Sequence, residues 1–344
     1  MHLHEAISAP PNAVRPGLVL IICCLSMLIV GMDVTIVNVA LPAIQRDLHA
    51  SLSGLQWIVD AHTLVVASLL MLAGSMSDRF GRRRVFQMGL VPFIAGSVLC
   101  SIAHSVGQLI AFRAVQGLGA SMLNPVALSI IANVFLEPKA RAKAIGVWGA
   151  IAGLSFALGP LIGGALTQTI GWRSIFWINL PIGLTAVGLA ARFIPESKAP
   201  QARAFDPVGQ TLIFIGLASL IYAVIEGPRA GWNSPQIVSL FATVGVVLVI
   251  FVLYEPRLKQ PLLDLRFFRS MPFSTAVVLA ICAFSCFAGF LFLNALYLQQ
   301  AKGFTPLTTG LCTLPLAIMM IFSSPLRGIW WESMERVRPF SPRD

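Results

Sequence analysis

Ten stretches of about 20 mostly apolar residues, each long enough to cross the ~30 Å hydrocarbon core of a bilayer as a helix, run the length of this chain. They fall near residues 18–40, 54–76, 85–103, 105–130, 143–166, 173–192, 207–226, 235–254, 272–296 and 305–326. In lipid every backbone polar group must be paired internally, and runs of this length do that as helices. The expected fold is therefore an all-α polytopic membrane protein, a bundle of about ten transmembrane helices. Of the 344 residues, 57% are hydrophobic and 11% charged. A soluble domain carries about 25% charged residues. The apolar excess is spread along the whole chain, which excludes a water-soluble enzyme.

The run from Gly17 to Met32 follows Arg15 and has the look of a signal peptide. It continues through Asp33 and Asn38 to Pro42 without a small-residue cleavage site, so it reads as a retained first span. Charge placement gives the orientation. Nineteen of the 24 Lys and Arg fall on the side of Arg15, Arg79–Arg84, Lys139–Lys143, Arg192–Arg203, Arg257–Arg269 and the tail from Arg327. Arg46, Arg173, Arg229 and Lys302 fall on the other, and Arg113 alone lies within a span. The positive-inside rule puts the N-terminus in the cytoplasm, with the protein integral to the plasma membrane (the inner membrane of a two-membrane cell). Topology thus accounts for the net charge of +10, and nucleic acid is not needed as a partner. The six cysteines (Cys23, Cys24, Cys100, Cys282, Cys286, Cys312) sit in apolar runs without a CxxC pair and read as packing residues. His2 and His4, in the polar leader, have no metal-ligand partners in the pattern. No metal and no cofactor is expected, and no HExxH, nucleophile elbow or phosphate loop points to an enzyme.

An ionisable group at the centre of a span costs about 2.5–3.5 kcal/mol on insertion scales, so each one calls for a reason. Asp33 in span 1, Asp60 in span 2 and Arg113 in span 4 each lie about 10 Å from the outer end, at 1.5 Å per residue. Two acids and one base at one depth fit an aqueous pathway in which a carboxylate binds and releases protons while Arg113 tunes it. An Asp33–Arg113 ion pair that only neutralises both charges fits as well. His62 reads as a polar packing residue, and Asn38 and Asn124 as side chains that bridge helices by hydrogen bonds, with contact to a substrate as the second reading.

Several segments together resemble the major facilitator superfamily, and within it the fourteen-span drug:proton antiporters of the EmrB/QacA type. MDVTIVNVALP (Met32–Pro42) is similar to the span 1 signature of that subfamily. GSMSDRFGRRRVF (Gly74–Phe86) is similar to the loop 2–3 motif of the superfamily, with Met76 where Leu is usual. LIAFRAVQGLGAS (Leu109–Ser121) is similar to the span 4 motif, with Arg113 and Gln116 in register. SFALGPLIGGAL (Ser155–Leu166) is similar to the antiporter motif of span 5, with Ser155 for a frequent Gly, and GWRSIFWINLPIG (Gly171–Gly183) matches the start of span 6.

The resemblance implies a major facilitator-type helical bundle that exports lipophilic or cationic small molecules in exchange for protons. Asp33 would be the leading proton and substrate carboxylate, Asp60 a second one, and Arg113 the tuning base. The loop 2–3 residues Gly74, Asp78, Arg79, Gly81, Arg82 and Arg83 would form a cytoplasmic gate, with Gly74 and Gly81 permitting the sharp turn. Gly159, Pro160, Gly163 and Gly164 would be the antiporter-motif helix. In that span Gly149, Gly153, Ala157, Pro160 and Gly164 follow near-helical spacing, a small-residue ridge on which another helix can pack closely.

Three regions follow: residues 1–195 as a six-helix transporter half, 196–255 as a linker with two extra spans, and 256–344 as an incomplete second half with an unmatched basic tail. By comparison with the family, four further spans are expected after Leu326, and a site between two halves needs both. A truncated, non-transporting membrane fragment of such a transporter is the alternative reading.

Overall fold

The structure, a computed structural model, describes residues 15–199, 205–258, 261–316 and 319. His2 and His4, the middle of the first linker with Arg203, Lys259, and the basic tail from Arg327 lie outside the described residues. All regular structure among the described residues is helical. The helices are α1 (Pro16–Leu48), α2 (Leu52–Phe80), α3 (Arg82–Ser101), α4 (Val106–Val134), α5 (Pro138–Thr169), the short α6 (Ser174–Trp177), α7 (Asn179–Phe193), α8 (Pro207–Ala230), α9 (Pro235–Tyr254) and α10 (Met271–Leu296). A π-helical turn, Tyr297–Ala301, follows α10, and a further helix, α11, covers residues 306–316. Nine segments among the described residues are long and apolar enough to cross a membrane, α6 and α7 together making one of them. The expected tenth span begins as α11, and most of its second half lies outside the described residues.

The helices run past the apolar stretches. The apolar run of span 1 ends near residue 40, yet α1 continues to Leu48, where His49 takes a left-handed conformation and its N–H caps Gln45. Beyond the hydrocarbon the interfacial layers admit polar side chains, so hydropathy stops before the backbone does. Helix starts follow local chemistry. Ser51, Ser105, Asp206 and Ser234 cap α2, α4, α8 and α9 by accepting from Gly54, Gln108, Gly209 and Ile237 N–H groups. Helices α1, α5, α8, α9 and α10 open with Pro in the first turn, where its missing N–H costs nothing.

Helices α1–α7 form one bundle, in which α3 and α2 pack on α4, and α1 packs on α5. The α8–α9 hairpin leans on α2, and α10 on α1. The core divides into two apolar layers. One, towards the Arg82–Arg84 end, contains Ile22, Val30, Phe86, Phe93, Ile94, Ala120 and Ala186. The other contains Met32, Ile36, Leu41, Leu55, Cys100, Leu109 and Phe176. Outward-facing positions of α9 and α10, such as Leu248, Val249, Leu279 and Phe284, are large and apolar. Large apolar side chains thus cover the outside of the bundle as well as fill its core, as contact with lipid requires.

Candidate functional site

Between the two apolar layers lies a polar network. Asp33 sits on α1 between Val30 of one layer and Ile36 of the other. Arg113 and Gln116 lie one helical turn apart on α4, Ser97 comes from α3, and Asn179 opens α7 just after the break at Ile178. All five are buried. Arg113 Nη1 donates to Asp33 Oδ2 at 2.5 Å and to Gln116 Oε1 at 2.7 Å. Its Nε donates to the Ile58 carbonyl of α2 at 3.1 Å. Gln116 Nε2 donates to Asp33 Oδ1 at 2.7 Å, and Asn179 Nδ2 donates to the same oxygen at 3.3 Å. Ser97 Oγ accepts from Gln116 and Asn179 while donating to the Phe176 carbonyl. One buried carboxylate therefore ties α1 to α4 and α7, and one guanidinium ties α4 to α1 and α2. Such charge-assisted bonds are short and strong, and either charge alone at this depth would be costly.

Of the three intramembrane charges, the structure brings Asp33 and Arg113 together and leaves Asp60 apart. Asp60 is half-buried on α2 and meets no hydrogen-bond or ion-pair partner among the described residues. His62, two residues on, reaches the network instead, with Nε2 4.0 Å from Asp33 Oδ2. Two residues turn a helix by about 200°, so these two side chains leave opposite faces of α2. Asn38 does not bridge helices: it donates to Val34 O of its own helix. Asn124 Oδ1 is buried without a partner among the described residues. Gln116 stands in register in the span 4 motif, but Ser97 and Asn179 carry no signal of their own. Their role depends on which face of α3 and α7 turns inward.

At the basic end, α2 runs straight through Gly74 to Phe80. Gly74 thus makes no turn, and the reversal into α3 is made by Gly81 alone, with φ +109°. Asp78 Oδ1 lies 3.7 Å from Arg82 Nη2. The segment after α7 docks onto this corner. Ser197 O accepts from Arg82 N, and Asp78 O accepts from Ala199 N. Glu196 Oε1 accepts from Arg83 N, while Oε2 lies 3.8 and 3.7 Å from the Nε atoms of Arg83 and Arg84. A Cβ on Gly81 would overlap the Glu196 carboxylate. Arg79 has no ion pair among the described residues. Glu196, read only as part of a linker, is the residue that sequence reasoning missed here.

The small residues of α5 serve two neighbours. A Cβ on Gly159 would overlap Thr35 of α1, and one on Gly163 would lie 2.6 Å from Ile36 Cγ1. Gly164 packs against Pro306 and Leu307 of α11, and Gly310 of α11 packs in turn against the Pro160 carbonyl. The ridge is narrower than its spacing suggests, since a Cβ on Gly149 would meet nothing within 4 Å. Near the same end of the bundle, Gln299 Nε2 donates to the Val39 carbonyl at 2.8 Å.

A family model described as "Major Facilitator Superfamily" matches residues 23–341. The chain belongs to that superfamily. Among its superfamily relatives, "Multidrug resistance protein Stp" of Mycobacterium tuberculosis is 39% identical over 311 residues, 90% of this chain and 58% of the relative. "Tetracenomycin C resistance and export protein" of Streptomyces glaucescens is 37% identical, over 92% of this chain and 59% of the relative. "Methylenomycin A resistance protein" of Bacillus subtilis is 38% identical, over 90% and 66%. The chain therefore spans less than two thirds of the length of each of these relatives. A crystal structure of the peptide transporter POT in complex with sulfate superposes with TM-score 0.64 at 14% identity, covering 94% of this chain and 70% of that one. At that identity the likeness concerns fold alone, and it agrees with the helical bundle described above. The protein is thus an integral, multi-pass membrane member of the major facilitator superfamily.

Proposed function

We propose that this protein acts in proton-coupled export of lipophilic or cationic small molecules, as an antiporter of the fourteen-span drug:proton type. The observation that carries this reading is the Asp33–Arg113 pair, a carboxylate and a guanidinium fully buried between two apolar layers and bonded to each other across helices. An ionisable residue inside the membrane is by default read as part of a proton or substrate pathway. The names of the relatives, which speak of multidrug resistance and of resistance and export, support the direction and the substrate class.

In this reading Asp33 carries the proton or the substrate cation and Arg113 holds it in the empty state. Asp60, on the other face of α2, is a second carboxylate for cationic solutes. The basic end faces the cytoplasm, where Asp78, Arg82 and Glu196 close the corner between α2 and α3. Residues 1–195 are the first six-helix half, α8 and α9 the additional pair, and the chain from residue 256 the opening of the second half.

The test is efflux of ethidium from proteoliposomes containing this chain under an imposed pH gradient. Proton-driven efflux that disappears in Asp33→Asn while the protein remains folded supports the assignment. Undiminished coupled efflux in Asp33→Asn would show that the proton is carried elsewhere.

A further inference from the structure

Among the described residues, His62 is the member of the central cluster whose whole side chain lacks a hydrogen-bond partner, whereas Asn179 lacks one only at Oδ1. Its ring is buried on α2, 2% exposed. Neither Nδ1 nor Nε2 has a hydrogen-bond partner among the described residues. Leaving a buried polar atom unpaired costs about 1–3 kcal/mol. The sequence reads this residue as packing, yet a Phe or Leu would pack without that cost.

The neighbouring carboxylate is already occupied. Asp33 Oδ1 accepts from Gln116 and Asn179, and Oδ2 accepts from Arg113. A proton placed on Asp33 takes the remaining lone pair of Oδ2 and removes the charge that holds the Arg113 guanidinium. A neutral imidazole always keeps one nitrogen with a free lone pair, so His62 takes a proton without breaking any bond. The ionisable groups around it are few. Asp33 faces it from α1 and Arg113 from α4, and Cys100 of α3 is buried beside the same pair. From α8, Glu226 meets Trp57, five residues before His62 on α2. Asp60 leaves the opposite face of α2.

We propose that His62 is a proton-binding site that competes with Arg113 for Asp33. The proton adds to the free ring nitrogen, and no covalent bond breaks. The ring then carries a cation 4.0 Å from Asp33 Oδ2, and an approach of about 1 Å turns that gap into an imidazolium–carboxylate bond of about 2.7–2.9 Å. Two cations then share one carboxylate, and the hold of Arg113 on α1 weakens. The helices are arranged to feel this. Arg113 Nε is bonded to Ile58 O, and a Cβ on Gly117 of α4 would lie 2.6 Å from the His62 carbonyl. At this level α2 and α4 are in backbone contact and act as one unit, whereas α1 is held to that unit through Asp33. Protonation of His62 therefore acts on the joint between α1 and the α2–α4 pair. Its use in export rests on the function proposed above; the proton site itself rests on geometry.

The experiment is an imidazole ¹⁵N NMR titration of the full chain in lipid nanodiscs, from about pH 3 to about pH 8. The chain has five histidines, and the signal of His62 is the one lost in His62→Gln, or in His62→Asn should the first variant not fold. His62 is expected to pass between neutral and protonated forms, with a midpoint that Asp33→Asn moves by more than about one pH unit, the coupling at which two sites titrate as one. A ring that stays in one form throughout, or a midpoint indifferent to Asp33→Asn, overturns the proposal. In proteoliposomes His62→Gln should lower pH-driven ethidium efflux at least about tenfold, within the usual range of coupling between sites, while ethidium exchange without a gradient persists. Efflux by His62→Gln as strongly driven as in the wild type overturns the proton site and leaves export standing. A coupled titration in a wild type that exports nothing supports the proton site and removes the export reading.

Discussion

The Asp33–Arg113 pair predicts an asymmetry between single and double substitutions. In Asp33→Asn the Arg113 guanidinium stays where it is, 1% exposed, but its charge has no counterpart. Removing one partner of a buried ion pair costs about 3–5 kcal/mol, mostly for the charge left behind. An ordinary interhelical hydrogen bond inside a membrane is worth only about 0.6 kcal/mol on average. The amide introduced by Asp33→Asn keeps one acceptor oxygen but turns its NH2 towards either Arg113 or the Gln116 and Asn179 donors, so only part of the bonding is recovered locally. Gln116→Leu, which removes hydrogen bonds but leaves both charges, should cost about 1–2 kcal/mol. Asp33→Leu combined with Arg113→Met removes both charges and should lie within about 1 kcal/mol of the wild type, because well-packed apolar replacements of buried pairs are commonly neutral or better. The assay is reversible unfolding of the purified chain in mixed micelles, followed by circular dichroism. A double variant as unstable as the sum of its single variants would refute the reasoning. So would an Asp33→Asn variant no weaker than Gln116→Leu, since the pair would then not be held as a desolvated charge pair.

The remaining expectations concern packing and the basic corner. Gly163→Ala puts a Cβ 2.6 Å from Ile36 Cγ1 and 2.9 Å from the Ile36 carbonyl, and a backbone atom cannot swing aside, so a loss of about 1–3 kcal/mol is expected in the same unfolding assay. Gly149→Ala, with open space around it, should instead gain up to about 1 kcal/mol from helix propensity. At Gly81, where φ is +109°, Ala should cost at least about 1–2 kcal/mol through backbone strain alone. Glu196→Gln keeps an acceptor for Arg83 N and loses the charge beside two partly exposed arginines, so its stability effect should stay within about 1 kcal/mol and vanish at high salt. A Glu196→Gln loss that salt does not reduce would mean that the carboxylate acts through packing.

What the sequence makes legible here is what depends on chain composition over about 20 residues. Spanning helices follow from apolar length, because the bilayer sets that length whatever the neighbours are. Charges within those runs stand out for the same reason, so Asp33 and Arg113 are identifiable before any contact is known. Ends are less legible: the last turns of α1 and α5 lie in polar sequence such as Gln45–Arg46–Asp47 and carry no hydropathy signal. Gly74 and Gly81 show the limit of reading glycine as a turn signal. Both stand in the same motif, yet only the second has a backbone conformation that needs glycine, and the first lies inside a helix.

The partners of a buried charge are less legible because they depend on rotation. A transmembrane helix that is apolar all round gives no stripe from which to tell its inner face. Depth along the axis follows from counting at about 1.5 Å per residue, whereas azimuth requires knowing which helices pack together. Asp60 and His62 show the consequence. By depth alone the two are neighbours, about 3 Å apart along the axis of α2, and charge favours the aspartate as the member of the site. Azimuth reverses the choice, since the tight approach of Gly117 on α4 fixes the face of α2 that turns inward, and His62 is on it. The same logic brings in Ser97 and Asn179, each on the inward face of a helix whose other polar residues give no direction. The small residues that let helices approach closely therefore determine which polar side chains meet at the centre of the bundle.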